Sequence, residues 1–167
     1  MTIRFATVAD LPAIDRVFRI SFCDTFAHLY SPEDLASFLD QFTPASWQAE
    51  YADPAFAFQL GEQDGAVVGY AKLGPVKLPH VDPNGAIELK QLYLLRQAHG
   101  TGLGQQLMDW VRAEARQRGA GRIGLSVWEN NHRAQAFYRR YGFEDRGRYD
   151  FVVGNHTDHD RVWEATL

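Results

Sequence analysis

The chain has 167 residues, 46% of them hydrophobic, with one cysteine and a formal net charge of −4 at neutral pH. That length supports a single hydrophobic core, the lone cysteine excludes a disulfide scaffold, and the acidic balance argues against nucleic acid as a partner and mildly for a cationic one. No apolar run reaches the length of a membrane span and Met1–Phe5 lacks a signal-peptide core, so the expected setting is the cytoplasm with no membrane partner.

The N-terminal part opens with Ile3-Arg4-Phe5-Ala6, after which Asp10 is placed to cap a helix carrying Pro12 in its first turn. Ile14, Val17, Phe18 and Phe22 give that helix an apolar face, and Cys23 follows them as an ordinary lone buried thiol rather than a nucleophile. Ser31-Pro32-Glu33-Asp34 repeats the start signal, with Ser31 as cap and Asp34 at the capping-box position, ahead of Leu35, Phe38 and Leu39. Phe56–Leu60 and Val67–Leu73 read as a hairpin around Asp64-Gly65, and Pro75 to Gly85 as a loop.

The next strand changes phase within itself. Ile87 and Leu89 put apolar side chains on odd positions and Leu92 and Leu94 on even ones, so one extra residue near Lys90 or Gln91 is expected as a bulge. A bulge there would bend this strand away from a parallel neighbour and leave backbone groups unpaired in the gap.

The tract His99-Gly100-Thr101-Gly102-Leu103-Gly104 follows, opening a helix whose buried face is Leu103, Leu107, Trp110 and Val111. Glycines allow close backbone approach, and a helix start presents unpaired N–H donors and partial positive charge. No acidic residue stands between Arg96 and Gln106 to claim that charge, so a phosphate is expected there. The lysine and hydroxyl of a Walker loop are missing, and Leu107 replaces the third glycine of a dinucleotide fingerprint.

Ile123–Val127 alternates as a strand, and Asn130 or Asn131 caps a helix with Ala134, Phe137, Tyr138 and Tyr141 on one face, ended by Gly142. The chain closes with a hairpin, Gly147–Val153 and Asp160–Thr166, turning at Gly154-Asn155. His156 and His159 stand three apart beside Asp158 and Asp160, but no third ligand joins them at a recognised spacing, so no metal is expected.

From Ile87 to Phe143 the order strand, glycine-rich loop and helix, second strand, and a helix reading N-x-x-A-x-x-F-Y-x-x-x-G-F resembles the GNAT superfamily of N-acetyltransferases. The resemblance implies an α/β (α+β) fold in one domain over residues 1–167: a mixed, mostly antiparallel sheet with one splayed parallel strand pair, flanked by helices. It implies acetyl-coenzyme A as co-substrate. Leu92, Tyr93 and Leu94 would meet the pantetheine and acetyl group, and His99, Gly100, Thr101, Gly102, Leu103, Gly104 and Gln105 the pyrophosphate. Asn131, Ala134, Phe137 and Tyr138 would line the far side, with Arg140 near an outer phosphate. His99 departs from the Arg or Gln usual at that position; a neutral imidazole still donates one hydrogen bond.

Acetyl transfer needs a neutral amine, a stabilised carbonyl oxygen and a proton for the departing thiolate. The resemblance gives the last role to Tyr138 and the oxyanion to backbone N–H near Leu94; Glu88, at the start of the strand, is the candidate proton acceptor by position. The superfamily's acceptor entrance falls on Asp24, Phe26, His28, Tyr30, Glu33 and Asp34. Phe151–Gly154 with Asp158 and Asp160 is similar to bacterial spermidine and spermine N-acetyltransferases. The acceptor is then a small-molecule amine such as a polyamine, or a peptide N-terminus as in ribosomal-protein acetyltransferases; a non-catalytic acyl-coenzyme A-binding module is the remaining alternative. Edge strands at the last hairpin allow either a monomer or a homodimer.

Overall fold

The computed structural model describes residues 1–167. Its elements in chain order are β1 (Thr2–Phe5), α1 (Leu11–Phe26), α2 (Pro32–Leu39), α3 (Pro44–Ala52), β2 (Ala57–Gln63), β3 (Ala66–Gly74), β4 (Ala86–Leu94), α4 (Leu103–Gln117), β5 (Arg122–Trp128), α5 (His132–Arg139), β6 (Glu144–Val153) and β7 (His156–Thr166), with short 3₁₀ turns before and after α1 and before the glycine tract. The strands form one sheet ordered β1-β2-β3-β4-β5-β7-β6, in which β4 and β5 are parallel and every other neighbour pair is antiparallel. This is the α/β arrangement expected from the sequence.

Local chemistry accounts for the element ends. Asp64 (φ 52°) and Gly65 (φ 79°) form the two-residue turn between β2 and β3, as an Asp-Gly pair allows. Ser31 caps α2 by accepting from the Asp34 N–H at 3.1 Å. The expected role of Asp10 needs correction. Its backbone is already helical, and its carboxylate accepts from the Thr7 N–H and from Arg4 at 2.7 Å each, so it anchors the turn that begins at Thr7. The last hairpin is longer than expected, reaching back to Glu144 and starting its return strand at His156. Asp34, expected to box the start of α2, reaches across instead and accepts from the Asn155 N–H at the hairpin tip, 2.7 Å away. Helix α3 has little apolar periodicity, only Trp47 being buried, so it lacks the stripe that marks the other helices.

Adjacent residues of β3 show how the layers lie. A side-chain carbon at Gly69 would point at Leu94 and Leu103 of α4, whereas Tyr70, the next residue, meets Trp47 of α3 and Tyr93, and Tyr93 meets Phe18 of α1. Since neighbours along a strand face opposite ways, α4 covers one face of the sheet and α1 and α3 the other. Leu103, Leu107, Met108 and Val111 fill the first layer; Ile14, Val17, Phe18 and Trp47 fill the second. α5 lies beside α4, with Phe137 over Gly104, and α2 covers the far hairpin through Phe38 against Phe151 at 5.6 Å.

Candidate active site

The two parallel strands pair only at their beginnings. Ala86, Ile87 and Glu88 match Arg122, Ile123 and Gly124, after which β5 continues with β7 alone. Opposite β3, the partners step from Leu73↔Leu89 to Lys72↔Gln91, leaving Lys90 as the extra residue. The bulge therefore sits where the apolar phase slips, and it turns β4 outward. Past it, Leu95 donates to Val68 on β3, so by alternation the N–H and C=O of Leu94 and Leu92 point into the gap.

A cleft of about 1290 Å³ occupies this gap and opens on both faces of the sheet. On the α4 side it is bounded by the glycine tract. Gly100 (φ 76°) and Gly102 (φ 87°) take left-handed conformations that would strain any other residue, and the N–H groups of Gly100, Thr101, Gly102 and Gly104 find no acceptor in the protein. No acidic residue occupies the first turn of α4. Free donors at the positive end of a 15-residue helix are the arrangement that an anion would need. Two of the expected loop residues contribute no side chain. Leu103 is fully buried beneath Gly61 and Gly69, and the Thr101 hydroxyl donates to the Ala98 carbonyl at 2.8 Å, so neither lines the cleft.

His99 also differs from expectation. Its Nδ1 accepts from Arg133 at 2.9 Å and its Nε2 donates to the Leu94 carbonyl at 3.1 Å, a pattern that requires a neutral ring with the hydrogen on Nε2. Burial and the adjacent Arg133 lower its pKa, in keeping with that form. Its one donor is thus spent on backbone. Positive charge at the loop comes instead from Arg133, which α5 presents beside it.

α5 is set by Asn131, whose carbonyl oxygen accepts from the Ala134 N–H at 3.2 Å. Asn131, Ala134, Phe137 and Tyr138 all line the cleft, as do Leu92, Tyr93, Leu94, His99, Gly100, Gly102, Gly104, Gln105 and Arg140. Tyr138 packs between Phe137 and Phe143, at 5.5 and 5.6 Å, and burial raises its phenol well above the ordinary range. Its hydroxyl has no partner in the protein, unlike that of Tyr70, which bonds Gln91 at 2.8 Å.

The other mouth of the cleft lies on the α1 face. Phe22, Phe26, Tyr30, Phe38 and Phe151 surround it, with Asp158 and Asp160 on β7 and Asp24 at the rim. Of the six expected acceptor-side residues, Asp24, Phe26 and Tyr30 are here; His28, Glu33 and Asp34 are not. Glu88 is not brought to the cleft either. Its buried carboxylate accepts from the Lys77 N–H at 2.8 Å and pairs with Lys90 at 2.7 Å, so it is occupied in closing the loop over β4. Asp158 accepts from the Tyr30 hydroxyl and from His156, whereas His159 points to the opposite face toward Asp150. Strand alternation thus separates the two histidines read as neighbours.

The gap, the free amides and the unpartnered phenol are joined by the sequence comparison. A family model described as acetyltransferase (GNAT) family matches residues 21–143. The chain belongs to the GNAT family. An uncharacterized N-acetyltransferase of Mycobacterium bovis is 41% identical over 138 residues, covering 82% of this chain and 85% of that protein. The spermine/spermidine N(1)-acetyltransferase of Bacillus subtilis is 33% identical over 92 residues, 53% of this chain and 59% of that one. The crystal structure of PaiA N-acetyltransferase from Thermoplasma acidophilum in complex with coenzyme A has the same fold, with a TM-score of 0.76 at 20% identity over 100% of both chains. This GNAT chain is accordingly an N-acetyltransferase.

Several residues of the GNAT cleft had no signal of their own in the sequence. Arg133 reads as a solvated helix charge until α5 is laid beside the loop. Ser126 lines the cleft because β5 has no β4 partner beyond Gly124, and Phe38 and Phe151 meet only through the hairpin. No helix of the chain is long and apolar enough to cross a membrane.

Proposed function

We propose that the chain transfers acetyl directly from acetyl-coenzyme A to a primary amine of a small polycation such as a polyamine. The observation that carries the acceptor class is the mouth on the α1 face, where aromatic rings and two buried carboxylates enclose a space roofed by α2 and the tip of the last hairpin. Such a space attracts and partly desolvates an ammonium group. A folded protein surface presenting its N-terminus needs an open groove, and the roof held by Asp34 narrows this one.

The pyrophosphate lies on the free N–H groups of Gly100, Thr101, Gly102 and Gly104 in this reading, with Arg133 supplying the charge that neutral His99 lacks. The pantetheine arm runs along the gap-facing backbone of Leu92 and the Leu94 N–H as an added strand would, the Leu94 carbonyl being held by His99. The Leu94 N–H stabilises the developing oxyanion, and Tyr138 gives its proton to the departing thiolate. Cys23 supports no covalent route: it does not line the cleft, and burial and Asp24 raise its pKa.

The test is an acetyl-transfer screen, reading thiol release with spermidine, spermine, monoamines and N-terminal peptides. Polyamines are expected to give the highest kcat/KM, and a preference for peptides would overturn the acceptor assignment. Arg133→Ala tests the phosphate side. Loss of one charge-assisted contact of about 1.5 kcal/mol should raise the Kd for acetyl-coenzyme A roughly tenfold, measured by calorimetry, with kcat little changed.

A further inference from the structure

The reaction leaves one proton without a destination. An alkylammonium with a pKa near 10 must become neutral before it attacks, and Glu88, the acid suggested by its strand position, is paired with Lys90 outside the cleft. Four aspartates line the cleft: Asp24, Asp109, Asp158 and Asp160. Asp24 is at the rim, paired with Arg96 at 3.0 Å; Asp109 is exposed on α4, across the sheet from the acceptor mouth; and Asp158 is held by Tyr30 and His156. Asp160 is different. It is 8% exposed, its carboxylate meets only the Ser126 hydroxyl, and no cation pairs with it.

We propose that Asp160 is the proton acceptor that deprotonates the incoming ammonium, a reading that rests on the assignment of this cleft to amine acetylation. Geometry places it on the correct side. Asp160 is in register with Trp128 on β5, two residues along β7 from Asp158, and so shares the face on which Asp158 meets Tyr30. That is the α1 face, where the amine enters, while Tyr138 stands on α5 beside α4, on the thiol side. Tyr93 lines the same split, its phenol raised by burial and, to a lesser extent, by the nearby Asp160 carboxylate. A base on the nucleophile's side of the carbonyl and an acid on the leaving group's side is the layout that acyl transfer requires.

The groups facing Asp160 explain why it is poised for this. Asp158 on its own strand and Glu129 after β5 repel its charge; Tyr149 is its cross-strand partner on β6, and its charge helps raise the phenols of Tyr30, Tyr93 and Tyr149; the Ser126 hydroxyl alone favours ionisation, and no cation is paired with it. Burial, then Asp158, push its pKa up to about 7. A base with that value accepts a proton at neutral pH and releases it to solvent after turnover. The ammonium proton passes to the Asp160 carboxylate, and the free amine forms the C–N bond as the C–S bond breaks. Tyr138 protonates the thiolate and recovers a proton from the amide nitrogen. The sum is one acetamide, one thiol and one proton released by Asp160.

The test combines a titration with kinetics on the whole chain. ¹³C-carboxylate NMR, with Asp160→Asn identifying the signal, should place Asp160 near 7 in the free protein and lower it when spermidine is added. A value near 4, or no response to spermidine, overturns the proposal, and this arm does not depend on finding the true acceptor. With whichever amine the wild type acetylates, kcat at saturating amine should fall below pH 7. Asp160→Asn should lower kcat about 100-fold and erase that acid limb, with the Kd for acetyl-coenzyme A unchanged. An intact limb in the variant overturns the role of Asp160. Failure of the wild type to bind acetyl-coenzyme A would instead overturn the underlying reading.

Discussion

Replacing Tyr138 by phenylalanine should lower kcat by roughly 100-fold, ~2.7 kcal/mol of transition-state stabilisation, while the Kd for acetyl-coenzyme A stays within about twofold. The ring is the part that packs, against Phe137 and Phe143, and phenylalanine keeps it. The hydroxyl has no bond to lose in the resting protein, so the change should cost little stability. Its loss is felt only when a thiolate forms beside it. Burial keeps the phenol protonated throughout the working pH range, so the wild type should show no basic limb from this group up to about pH 9. Equal rates for Tyr138→Phe and wild type, by thiol release under saturating acetyl-coenzyme A, would remove Tyr138 from the mechanism.

What could be read from the sequence was whatever is written in local periodicity. The bulge at Lys90 appears as a change of apolar phase, because a strand with one buried face cannot slip by one residue without showing it. The anion site appears as glycines without acids at a helix start, and Asn131 as a cap, because both obey rules that act within one turn. Long-range pairing is where sequence reasoning failed. Glu88 has the composition of a base, but whether Lys90 and the Lys77 amide reach it depends on how the loop from Pro75 folds back. His99 could not be seen to spend its donor on Leu94 before Arg133 was placed beside it. Asp158 and Asp160 look alike in sequence and differ because Tyr30, 128 positions from Asp158, reaches only the first of them.

The isolation of Asp160 should carry a cost in stability that depends on pH. In the folded chain its pKa is about 7 against an ordinary 3.8, so between those values the folded state holds a proton that the unfolded chain has released. Stability from this group is therefore fully present below about pH 4 and is lost as pH rises through about 7. At 1.36 kcal/mol per pKa unit the shift corresponds to at most ~4 kcal/mol, and water in the cleft reduces it to about 2–3 kcal/mol. Asp160→Asn cannot ionise and escapes that loss. About two-thirds of that loss falls above pH 5, so the Tm of the variant relative to wild type should rise by about 3–8 °C between pH 5 and pH 8.5, given ~2–4 °C per kcal/mol for a domain of this size. Any cost of burying an unpaired amide is independent of pH and drops out of the comparison, as do all other titrating groups common to both proteins. A Tm difference that stays flat across that range, measured by calorimetry, would mean that Asp160 is ionised at pH 5 in the folded chain. A variant gaining stability over the same pH range in which it loses turnover would mark this carboxylate as held against folding for the sake of the reaction.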